Sequence, residues 1–386
     1  MTRQRLFLDV SCVDAARERV RHIYDTHDTV AVQVSGGKDS LAVLHLAREI
    51  HENRGLGPVR AIFRDEEMVS PSVVRKLEQI RSYDWVDLEW YCLPMGQEIY
   101  VLGRREYVLL WSKERERQGR LVRDFPSWAI RAEHFGLDPE VPVPESIDLY
   151  TMQGKTGSVC FLQGVRANES MLRYRSITQK LHEPYIVKPF RMKKSVPLQF
   201  GKPIYDWTTN DVLAYVCMEN AEPLAEYYNL AALVGANTRV GIPLHSVAAR
   251  RLNDVVTTEP EFFDRLVAAF PQIDAQARYW SEFNVETLIA DYASQGWDGV
   301  ADCLDDNFLT PGIRKNAEAF VADYRRRHVK DPFSFPVEWL VRVLMLNEIG
   351  TTSPSPVGPK TRAHTMRVKA MEDADADSLD AVDDFR

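Results

Sequence analysis

The segment "VSGGKDSL" at residues 34–41 brings together residue types that bind phosphate. Glycines let the backbone come close to a ligand, serine hydroxyls donate hydrogen bonds, and a lysine neutralises negative charge. Placed between a strand and a helix, such a loop also directs the first free N–H groups of the helix at an anion. The segment therefore predicts a nucleotide phosphate site, whose candidate contacts are Ser35, Gly36, Gly37, Lys38, Asp39 and Ser40.

Asp39 is the unexpected member of this set, because a carboxylate repels phosphate. Two interpretations stay open. Asp39 contacts Mg²⁺ or the incoming substrate, or it is an acid in the first turn of a helix, where the helix dipole stabilises it. The first interpretation makes Asp39 the candidate metal ligand of the chain.

The flanking sequence predicts the elements that position this loop. Residues 29–34 ("TVAVQV") are typical of a buried strand, and apolar residues then recur at helical spacing as far as Gly55. Residues 59–63 ("VRAIF") predict a second strand, which closes a βαβ unit with a parallel sheet. Because ligands of parallel sheets lie at the carboxyl ends of strands, Asp65 is a candidate contact for a ribose hydroxyl, or else a plain loop acid.

Further along the chain, the pattern predicts a continuation of this α/β order. Helices are expected over 13–24, 70–83 and 206–216, with a long charged helical region over about 98–135, and strands over 86–92, 158–164 and 185–190. A helix is expected to open directly after residue 164, and mostly helical sequence covers 246–350. The predicted domains are 1–245, a helical region 246–352, and a linker with a disordered acidic tail over 353–386.

Two common phosphate-binding loops do not fit. A Walker A loop needs a glycine five residues before the glycine that precedes its lysine, and Val32 stands there. The tripeptide "GKT" at 154–156 fails in the same way, because Leu149 occupies that position. The dinucleotide fingerprint G-x-G-x-x-G fails as well, since Gly36 is followed directly by Gly37.

A third loop does fit: "SGGKDS" at 35–40 resembles the PP-loop of the ATP pyrophosphatase superfamily. That superfamily includes sulfonucleotide (PAPS) reductases, ATP sulfurylase small subunits, tRNA-thiolating enzymes and DNA phosphorothioation enzymes. Two further segments, "GVRANES" at 164–170 and "KPIYDWTTNDVLAYV" at 202–216, resemble its PAPS reductase-like branch. The resemblance covers about residues 28–230.

The resemblance implies an α/β fold, with a doubly wound, parallel-sheet domain of the adenine-nucleotide alpha-hydrolase-like (PP-loop) type and a helical C-terminal extension. It implies an enzyme that binds ATP or PAPS and cleaves ATP to AMP and pyrophosphate, adenylating an acceptor for sulfur transfer or nucleic-acid modification. Mg²⁺ would bridge the phosphates, because the developing charge exceeds what one lysine neutralises.

The resemblance also implies residue roles. Lys38, Asp39, Arg166 and Glu169 are the implied catalytic residues, and Gly164 and Arg166 join the nucleotide contacts. An arginine that follows a strand can bind phosphate or sulfate with two parallel N–H groups of its guanidinium. Glu169 has an alternative interpretation, which is a salt bridge to Arg166 or Arg173 at helical spacing.

The cysteines depart from the reductase pattern. PAPS reductases use a cysteine near the C-terminus, whereas this chain ends "DAVDDFR" and its last cysteine, Cys303, sits among acids that disfavour a thiolate. No C-x-x-C pair exists, so no iron–sulfur cluster is expected and a reducing cytoplasmic setting fits best. Two alternatives stay open: a sulfonucleotide reductase whose cysteine is supplied differently, and a non-catalytic module that senses nucleotides.

The composition is that of an ordinary soluble protein, with 27% charged residues. Hydrophobic residues make up 45% of the 386, and no apolar run is long enough to cross a membrane. The formal net charge is −8, of which residues 371–386 carry −6, so the charge of the rest is close to balanced. A homo-oligomer is the expected assembly.

A basic stretch indicates an acceptor. Residues 104–131 carry eight basic and four acidic side chains, with Trp111 and Trp128 between them. Basic residues with interleaved aromatics are typical of nucleic-acid surfaces, although a solvated helix face is the plainer interpretation. Nucleic acid, or else a protein, is therefore the candidate acceptor, and the candidate contacts are Arg115, Arg117, Arg120, Lys193 and Lys194.

Overall fold

The computed structural model describes residues 9–101, 104–143, 148–152, 157–169, 173, 185–188, 197–233, 241–245, 252–279, 285–346, 348–350 and 353–358. The chain divides into two units. Unit 1 comprises Met1–Glu98 with Tyr107–Ala277, and unit 2 comprises Ile99–Glu106 with Arg278–Arg386. The units divide near residue 277, while the domain boundary expected at 245/246 stays a prediction.

A mostly parallel sheet forms the centre of unit 1. Its described strands are β1 (Thr29–Gln33), β2 (Val59–Arg64), β3 (Val86–Cys92), β6 (Ile130–Arg131), β7 (Val159–Gln163), β8 (Ile186–Val187) and β9 (Leu198–Gly201). The strand order is β6-β3-β2-β1-β7-β9-β8, and every described pair is parallel except β8 with β9. The predicted α/β fold with a parallel sheet is confirmed. Two further strands, β4 (Gly96–Val101) and β5 (Arg104–Leu109), form a separate two-stranded sheet.

Helices connect and follow these strands. Up to residue 233 the described helices are α1 (Cys12–Thr26), α2 (Lys38–Arg54), α3 (Pro71–Arg81), α4 (Lys113–Arg117), α5 (Asp148–Thr151), α6 (Thr209–Leu213) and α7 (Glu226–Leu233). Beyond it they are α8 (Leu252–Thr258), α9 (Pro260–Ala269), α10 (Gln272–Tyr279), α11 (Val285–Ser294), α12 (Gly296–Asn307), α13 (Pro311–Lys330) and α14 (Val337–Met345). Short 3₁₀ turns cover Ala132–Phe135 and Ala167–Glu169, and α6 continues as a π-helix over Ala214–Glu219.

The local signals at helix ends act as predicted. Gly55 ends α2 in the left-handed region at φ +65°, where a residue without Cβ is least strained. Thr208 and Asp211 form a reciprocal capping box at the start of α6. Nearby, Trp207 is fully buried and donates its indole N–H to the Cys12 carbonyl at 3.0 Å.

The central strands are apolar because the sheet is covered on both faces. Val159, Cys160, Phe161 and Leu162 of β7 are all fully buried, and so are Ala31 and Val32 of β1. In the sequence, strands that are buried on both faces are continuous apolar runs, without the alternation of apolar and polar residues seen in half-exposed strands. This explains why their positions could be predicted from sequence.

The region 98–135 was expected to be a long charged helix, and that prediction is wrong. The chain instead forms the β4–β5 hairpin, the five-residue helix α4, the short strand β6 and a 3₁₀ turn. Trp111, in the turn that follows β5, adopts the left-handed region at φ +53°, and its backbone N–H donates to Glu67 at 2.8 Å. A tertiary contact, absent from the local sequence pattern, therefore sets this structure.

The edge of the sheet also differs from the sequence expectation. Of the strand expected over 185–190, the described part is only Ile186–Val187, and it runs antiparallel to β9. Strand β9 itself was not predicted. The helix expected after residue 164 begins as the 3₁₀ turn Ala167–Glu169, and most residues that follow lie outside the described ranges.

The described part of unit 2 is helical from α11 to α14, apart from the hairpin tip at 99–106. Its core joins residues such as Cys303, Tyr324, Leu340 and Leu344, all nearly fully buried. The Tyr324 hydroxyl donates to the Pro336 carbonyl at 2.9 Å, which satisfies its polar end inside an apolar core. Across the residues described in either unit, no helix combines the length and the apolar character that a membrane span needs.

Candidate active site

The sheet order fixes where a ligand can bind. Strand β1 lies between β2 and β7, so the chain leaves β1 toward β2 and returns to its other side only at β7. At such a reversal of strand order, the loops that follow the two neighbouring strands diverge and leave a crevice at their carboxyl ends. A cleft of about 330 Å³ lies there. The predicted site residues that line it are Ser35, Gly37, Lys38, Asp39, Ser40, Gly164 and Glu169.

The first loop turns sharply between β1 and α2. Val34 still donates to Ile62 of β2 at 2.9 Å, and Gly36 then adopts φ +71°. A Cβ on Gly36 would lie 2.7 Å from Cγ1 of Val73, which is closer than real carbon atoms approach. Gly36 is therefore required by conformation and by space, so its role is to shape the loop.

The two serines of the loop bind the loop itself. The Ser40 hydroxyl donates to the Gly37 carbonyl at 2.8 Å and accepts from the Ser35 N–H at 3.1 Å. The Ser35 hydroxyl accepts from the Gly37 N–H at 3.4 Å. Gly37, not Ser40, is the N-cap of α2. These contacts hold the loop in shape, and the predicted serine contacts with phosphate stay a prediction.

Lys38 is held at the start of α2. Its backbone N–H donates to the hydroxyl of Tyr228 at 2.9 Å. Its ammonium lies 3.2 Å from Asp39 Oδ2 and 5.5 Å from the centre of the Tyr228 ring. The residue is 7% exposed, so its charge acts in a largely desolvated cleft, where electrostatic interactions are stronger than in water.

Arg166 joins the second loop to the first. Its Nε lies 2.5 Å from Asp39 Oδ1, and its Nη1 donates to Thr209 Oγ1 at 3.2 Å. Arg166 is 4% exposed, and a buried arginine needs such a partner because an unpaired buried charge is strongly unfavourable. The predicted pairing of Arg166 with phosphate stays a prediction, and the structure shows Asp39 as its partner.

Asp39 does not offer a ready magnesium site. One carboxylate oxygen faces Arg166 and the other faces Lys38, so both carry a cationic partner already. Among the described residues, no group of three or more histidine, cysteine or acidic side chains is arranged to hold a metal. Mg²⁺ commonly binds through nucleotide phosphates with few protein ligands. The residues present therefore do not form a resident Mg²⁺ site.

Glu169 takes the structural role that had been its alternative interpretation. Its Oε2 accepts from the Arg166 backbone N–H at 3.2 Å and also pairs with Arg173. Glu169 lines the cleft, so the negative charge of its carboxylate would act on a ligand bound there. Its predicted catalytic role stays a prediction.

Gly164 lets the two loops touch. A Cβ at this position would lie 2.5 Å from the carbonyl carbon of Asp39 and 2.7 Å from the Ser40 nitrogen. These are backbone atoms, which cannot move aside as a flexible side chain would. Gly164 therefore permits the close contact between the end of β7 and the first turn of α2.

Asp65 has a different set of partners from the one expected. Its carboxylate is fully buried, accepts from the indole N–H of Trp90 at 2.6 Å, and pairs with Arg123. It also accepts from the Glu67 backbone N–H at 2.9 Å. In this geometry Asp65 fastens the segment near Arg123 to the end of β2, which leaves the ribose contact without support from the structure.

Sequence reasoning missed the polar floor of the cleft. The Gln163 amide donates to Gln33 at 2.7 Å, and the Gln33 amide donates in turn to Asp148 at 2.7 Å. Arg64 lies 3.7 Å from the same Asp148 carboxylate. Gln33, Arg64 and Gln163 are the last residues of β1, β2 and β7. That shared position was the available signal, because strand ends meet at the ligand crevice.

A smaller lobe adjoins the cleft. It has a volume of about 160 Å³, shares Gln33, Ser35 and Arg64 with the main cleft, and is lined further by Phe63 and Glu66 among others. Burial raises the pKa of Glu66. Two connected lobes of different size and polarity suit a ligand with a phosphate end and a flat, less polar end.

Comparisons with known proteins give only distant similarities. No family model matches the chain. The uncharacterized Escherichia coli (strain K12) protein YbdN is 25% identical over 253 residues, which span 62% of this chain and 59% of YbdN. The chain thus matches less than two thirds of the length of this curated relative.

Three solved structures show weaker similarity. A PAPS reductase from Candida auris is 17% identical, with 62% of this chain and 98% of that chain covered and a TM-score of 0.31. The FMN adenylyltransferase of Candida glabrata is 12% identical, with 60% of each chain covered and a TM-score of 0.38. The U34-tRNA thiolase NcsA of Methanococcus maripaludis is 11% identical, with 68% and 79% covered and a TM-score of 0.27. TM-scores this low carry no weight for fold or function.

The positions of the two motifs in the sheet are consistent with the resemblance to the PP-loop superfamily that the sequence shows. The loop at 35–40 follows the central strand β1 and opens α2, as the resemblance implies. The segment at 164–169 follows β7, the neighbour of β1, so both motifs reach the same cleft. Motifs that lie some 130 residues apart in sequence thus meet at the one place where a doubly wound sheet binds ligands.

The basic region seen in the sequence is largely paired in the structure. Arg115 forms a two-pronged ion pair with the fully buried Glu67, at 2.7 and 2.8 Å. Arg117 is exposed and pairs with Glu114, and Arg120 donates to the Ala269 carbonyl at 3.2 Å. Arg115 is thus structural in this conformation, whereas Arg117 and Arg120 remain accessible. Lys193 and Lys194 lie outside the described residues.

The thiols of unit 1 are not activated. Burial raises the pKa of Cys12, Cys92 and Cys217, and it raises the pKa of Cys160 to about 12. Nucleophilic cysteines need a lowered pKa, because the thiolate is the reactive form. None of these four residues has the environment of a reductase nucleophile.

Proposed function

We propose that this protein binds ATP in the cleft between the loops after β1 and β7 and cleaves it to AMP and pyrophosphate, adenylating an acceptor. One observation carries the proposal. The glycine loop at 35–40 and the Arg166 loop meet at the reversal of strand order, with the Lys38 ammonium held between them. The start of a helix that carries positive charge and is largely desolvated binds a polyphosphate favourably.

The reaction follows from where the positive groups lie. An acceptor hydroxyl oxygen forms a bond to the α-phosphorus and releases its proton to water. The bond between the α-phosphorus and the oxygen shared with the β-phosphate breaks, and the electron pair leaves with pyrophosphate. Lys38 and the backbone N–H groups of the loop stabilise the charge that develops on this leaving group.

Asp39 and Arg166 act as positioning residues in this proposal. Their 2.5 Å ion pair joins the first turn of α2 to the loop after β7. Asp39 also holds the Lys38 ammonium at 3.2 Å, which fixes the lysine before the nucleotide arrives. Preorganised charge contributes most because it needs no rearrangement during the reaction. Mg²⁺ enters this proposal as part of the nucleotide substrate, since the residues that the structure describes form no metal-binding group of histidine, cysteine or acidic side chains.

Adenylation is favoured over sulfonucleotide reduction. A reductase needs an activated thiol, and the thiols at 12, 92, 160 and 217 all have raised pKa values. The phosphate-binding geometry serves either reaction, so the raised pKa values of these four thiols are the observation that supports adenylation. A cytoplasmic location remains part of the proposal, supported by the scattered cysteines alone. Assembly into a homo-oligomer stays a prediction.

For the acceptor we propose nucleic acid, with the exposed Arg117 and Arg120 among its contacts. The support is the basic stretch at 104–131 together with the exposed Trp128. Binding through phosphate contacts would weaken steeply with salt, because each contact releases counterions. Absence of binding to DNA and RNA at low salt would instead favour a protein or a small acceptor.

The test is ATP turnover with candidate acceptors, followed by separation of AMP, ADP, pyrophosphate and phosphate. Lys38→Ala should abolish formation of AMP, whereas Lys315→Ala, an exposed lysine of unit 2, should leave it unchanged. Formation of ADP, or full activity of Lys38→Ala, would contradict the proposal. Tight ATP binding without turnover under any acceptor would favour the nucleotide-sensing module instead.

A further inference from the structure

The phosphate loop has a partner that the loop motif does not specify. Tyr228, in α7, accepts a hydrogen bond from the Lys38 backbone N–H at 2.9 Å, and its ring lies beside the Lys38 ammonium. Tyr228 also lines the cleft, while only 8% of its surface is exposed. A tyrosine hydroxyl therefore stands at the helix start, where a phosphate oxygen would otherwise receive that N–H.

The donor and acceptor groups of a phenol determine which further hydrogen bond Tyr228 can form. A tyrosine hydroxyl has one O–H donor besides its acceptor lone pairs. In Tyr228 one of these lone pairs accepts the backbone N–H of Lys38. Within the described residues, the hydroxyl proton of Tyr228 has no acceptor among the hydrogen bonds of the structure. Tyr228 lines the cleft, so its hydroxyl proton can be donated to a ligand bound there.

The hydroxyl also keeps its proton at physiological pH. Burial raises the pKa of Tyr228 to about 12, an effect that the Lys38 N–H only partly offsets. A phenol that accepts one hydrogen bond is polarised and donates a stronger one. The neutral hydroxyl is therefore a donor, and it does not repel an anion as a tyrosinate would.

We propose that Tyr228 is a further nucleotide-binding residue, whose hydroxyl relays the helix-start N–H of Lys38 to a phosphate oxygen of the bound polyphosphate. The chemical class of ligand is a pyrophosphate group, free or within a nucleoside triphosphate. This inference rests on the proposed ATP site, and it adds a donor that lies 190 residues from the loop in sequence.

A competing possibility makes the opposite prediction. If the Tyr228 hydroxyl blocked the anion site, phosphate would displace it, and loss of the hydroxyl would tighten binding. If it relays a hydrogen bond, loss of the hydroxyl weakens binding. A hydrogen bond to a charged group contributes enough for about a tenfold or larger loss of affinity. The sign of the change therefore separates the two.

The experiment titrates the full-length protein with inorganic pyrophosphate and, separately, with ATP and Mg²⁺, by calorimetry. Tyr228→Phe should bind both probes about tenfold or more weakly. Tyr292→Phe, which removes a hydroxyl bonded to Asp306 in unit 2, should bind like the unchanged protein. Equal or tighter binding by Tyr228→Phe would overturn the inference. Circular dichroism establishes that the variants are folded.

A structure with bound pyrophosphate gives a second readout that does not depend on a variant. We expect the Tyr228 oxygen within about 3.0 Å of a phosphate oxygen while it still accepts from Lys38. A ring rotated out of the cleft would overturn the inference. The titration with pyrophosphate separates the proposed role of Tyr228 from the proposed adenylation reaction. Tyr228-dependent binding without any AMP formation refutes only adenylation, whereas AMP formation with unchanged binding by Tyr228→Phe refutes only the relay.

Discussion

Gly164→Ala tests whether the two loops of the site have to touch. The added Cβ would lie 2.5 Å from the Asp39 carbonyl carbon, and ordinary contact begins at 3.4 Å, so the loops would separate by about 0.9 Å. Overpacking of this kind destabilises a protein by about 1–3 kcal/mol. A misplacement of about 1 Å at a reacting centre lowers the rate about 100-fold. We expect a folded protein whose AMP formation is about 100-fold slower.

The matched control is Gly57→Ala. Gly57 has open space around its would-be Cβ and a backbone that is not in the left-handed region. The same chemical change there should alter the free energy of unfolding by no more than about 0.5 kcal/mol and leave turnover intact. Urea unfolding measures the stability of both variants, and AMP formation under saturating ATP measures their activity.

The result that would refute the reasoning is specific. A folded Gly164→Ala variant that binds ATP and forms AMP like the unchanged protein would show that the contact between Gly164 and Asp39 does not shape the site. Equal losses of AMP formation in Gly164→Ala and Gly57→Ala would indicate a general effect of replacing glycine. Slower turnover confined to Gly164→Ala is the outcome that the loop contact predicts.

Three further predictions follow from buried charges and the exposed basic residues. Burial alone raises the pKa of Glu222, but hydrogen bonds from His45, Lys76 and a tyrosine lower it to about 2. The stability that this carboxylate contributes is therefore complete above its ordinary pKa and lost as pH falls toward 2, so Glu222→Gln should remove up to about 3 kcal/mol at pH 7 and flatten acid unfolding between about pH 4 and 2. Arg115→Ala should destabilise the fold by about 3–5 kcal/mol in urea unfolding, because it leaves a buried glutamate unpaired, and a change under about 1 kcal/mol would contradict the pairing. Arg117→Glu should weaken binding to single-stranded DNA or RNA at about 50 mM salt without affecting ATP affinity, and unchanged nucleic-acid binding would remove Arg117 from the acceptor surface.

The sequence was informative where structure is decided locally or by continuous burial. Strands β1 and β7 are largely apolar runs, β2 and β3 are rich in β-branched and aromatic residues, and the glycine loop and the Gly55 terminator are local conformational signals. The meeting of the 35–40 and 164–169 segments was also predictable, because strand ends in a parallel sheet share one edge. The α/β fold and the position of the candidate site could be derived on these grounds.

The sequence was uninformative where a distant partner decides the structure. The charged region after residue 98 looked helical because its arginines and glutamates occur at helical spacing. In the structure, Arg115 is paired with Glu67 and Arg123 with Asp65, at separations of 48 and 58 residues. Such pairs leave no periodic pattern in the sequence. They give Asp65 and Arg115 partners that the local sequence did not predict, and the roles predicted for these two residues stay predictions.

Tyr228 shows the same limit within the site. A single aromatic residue in a helical segment predicts a core position, and Tyr228 is indeed 8% exposed. Its hydrogen bond to Lys38 depends on α7 packing near the start of α2, a contact across 190 residues. The polar floor of Gln33, Gln163 and Asp148 shows the same limit. Gln163 donates to Gln33 on the neighbouring strand, and Gln33 donates to Asp148 of α5, across 130 and 115 residues of sequence.

The most direct measurement is the identity of the products formed from ATP. The purified protein is incubated with ATP, Mg²⁺ and candidate acceptors that include single-stranded and duplex nucleic acid, and the nucleotides are separated by anion-exchange chromatography. The proposed chemistry predicts AMP, free or attached to the acceptor, in equal amounts with pyrophosphate, and none from Lys38→Ala. Formation of ADP and phosphate would contradict it, because the bond broken would then be the one beyond the β-phosphate.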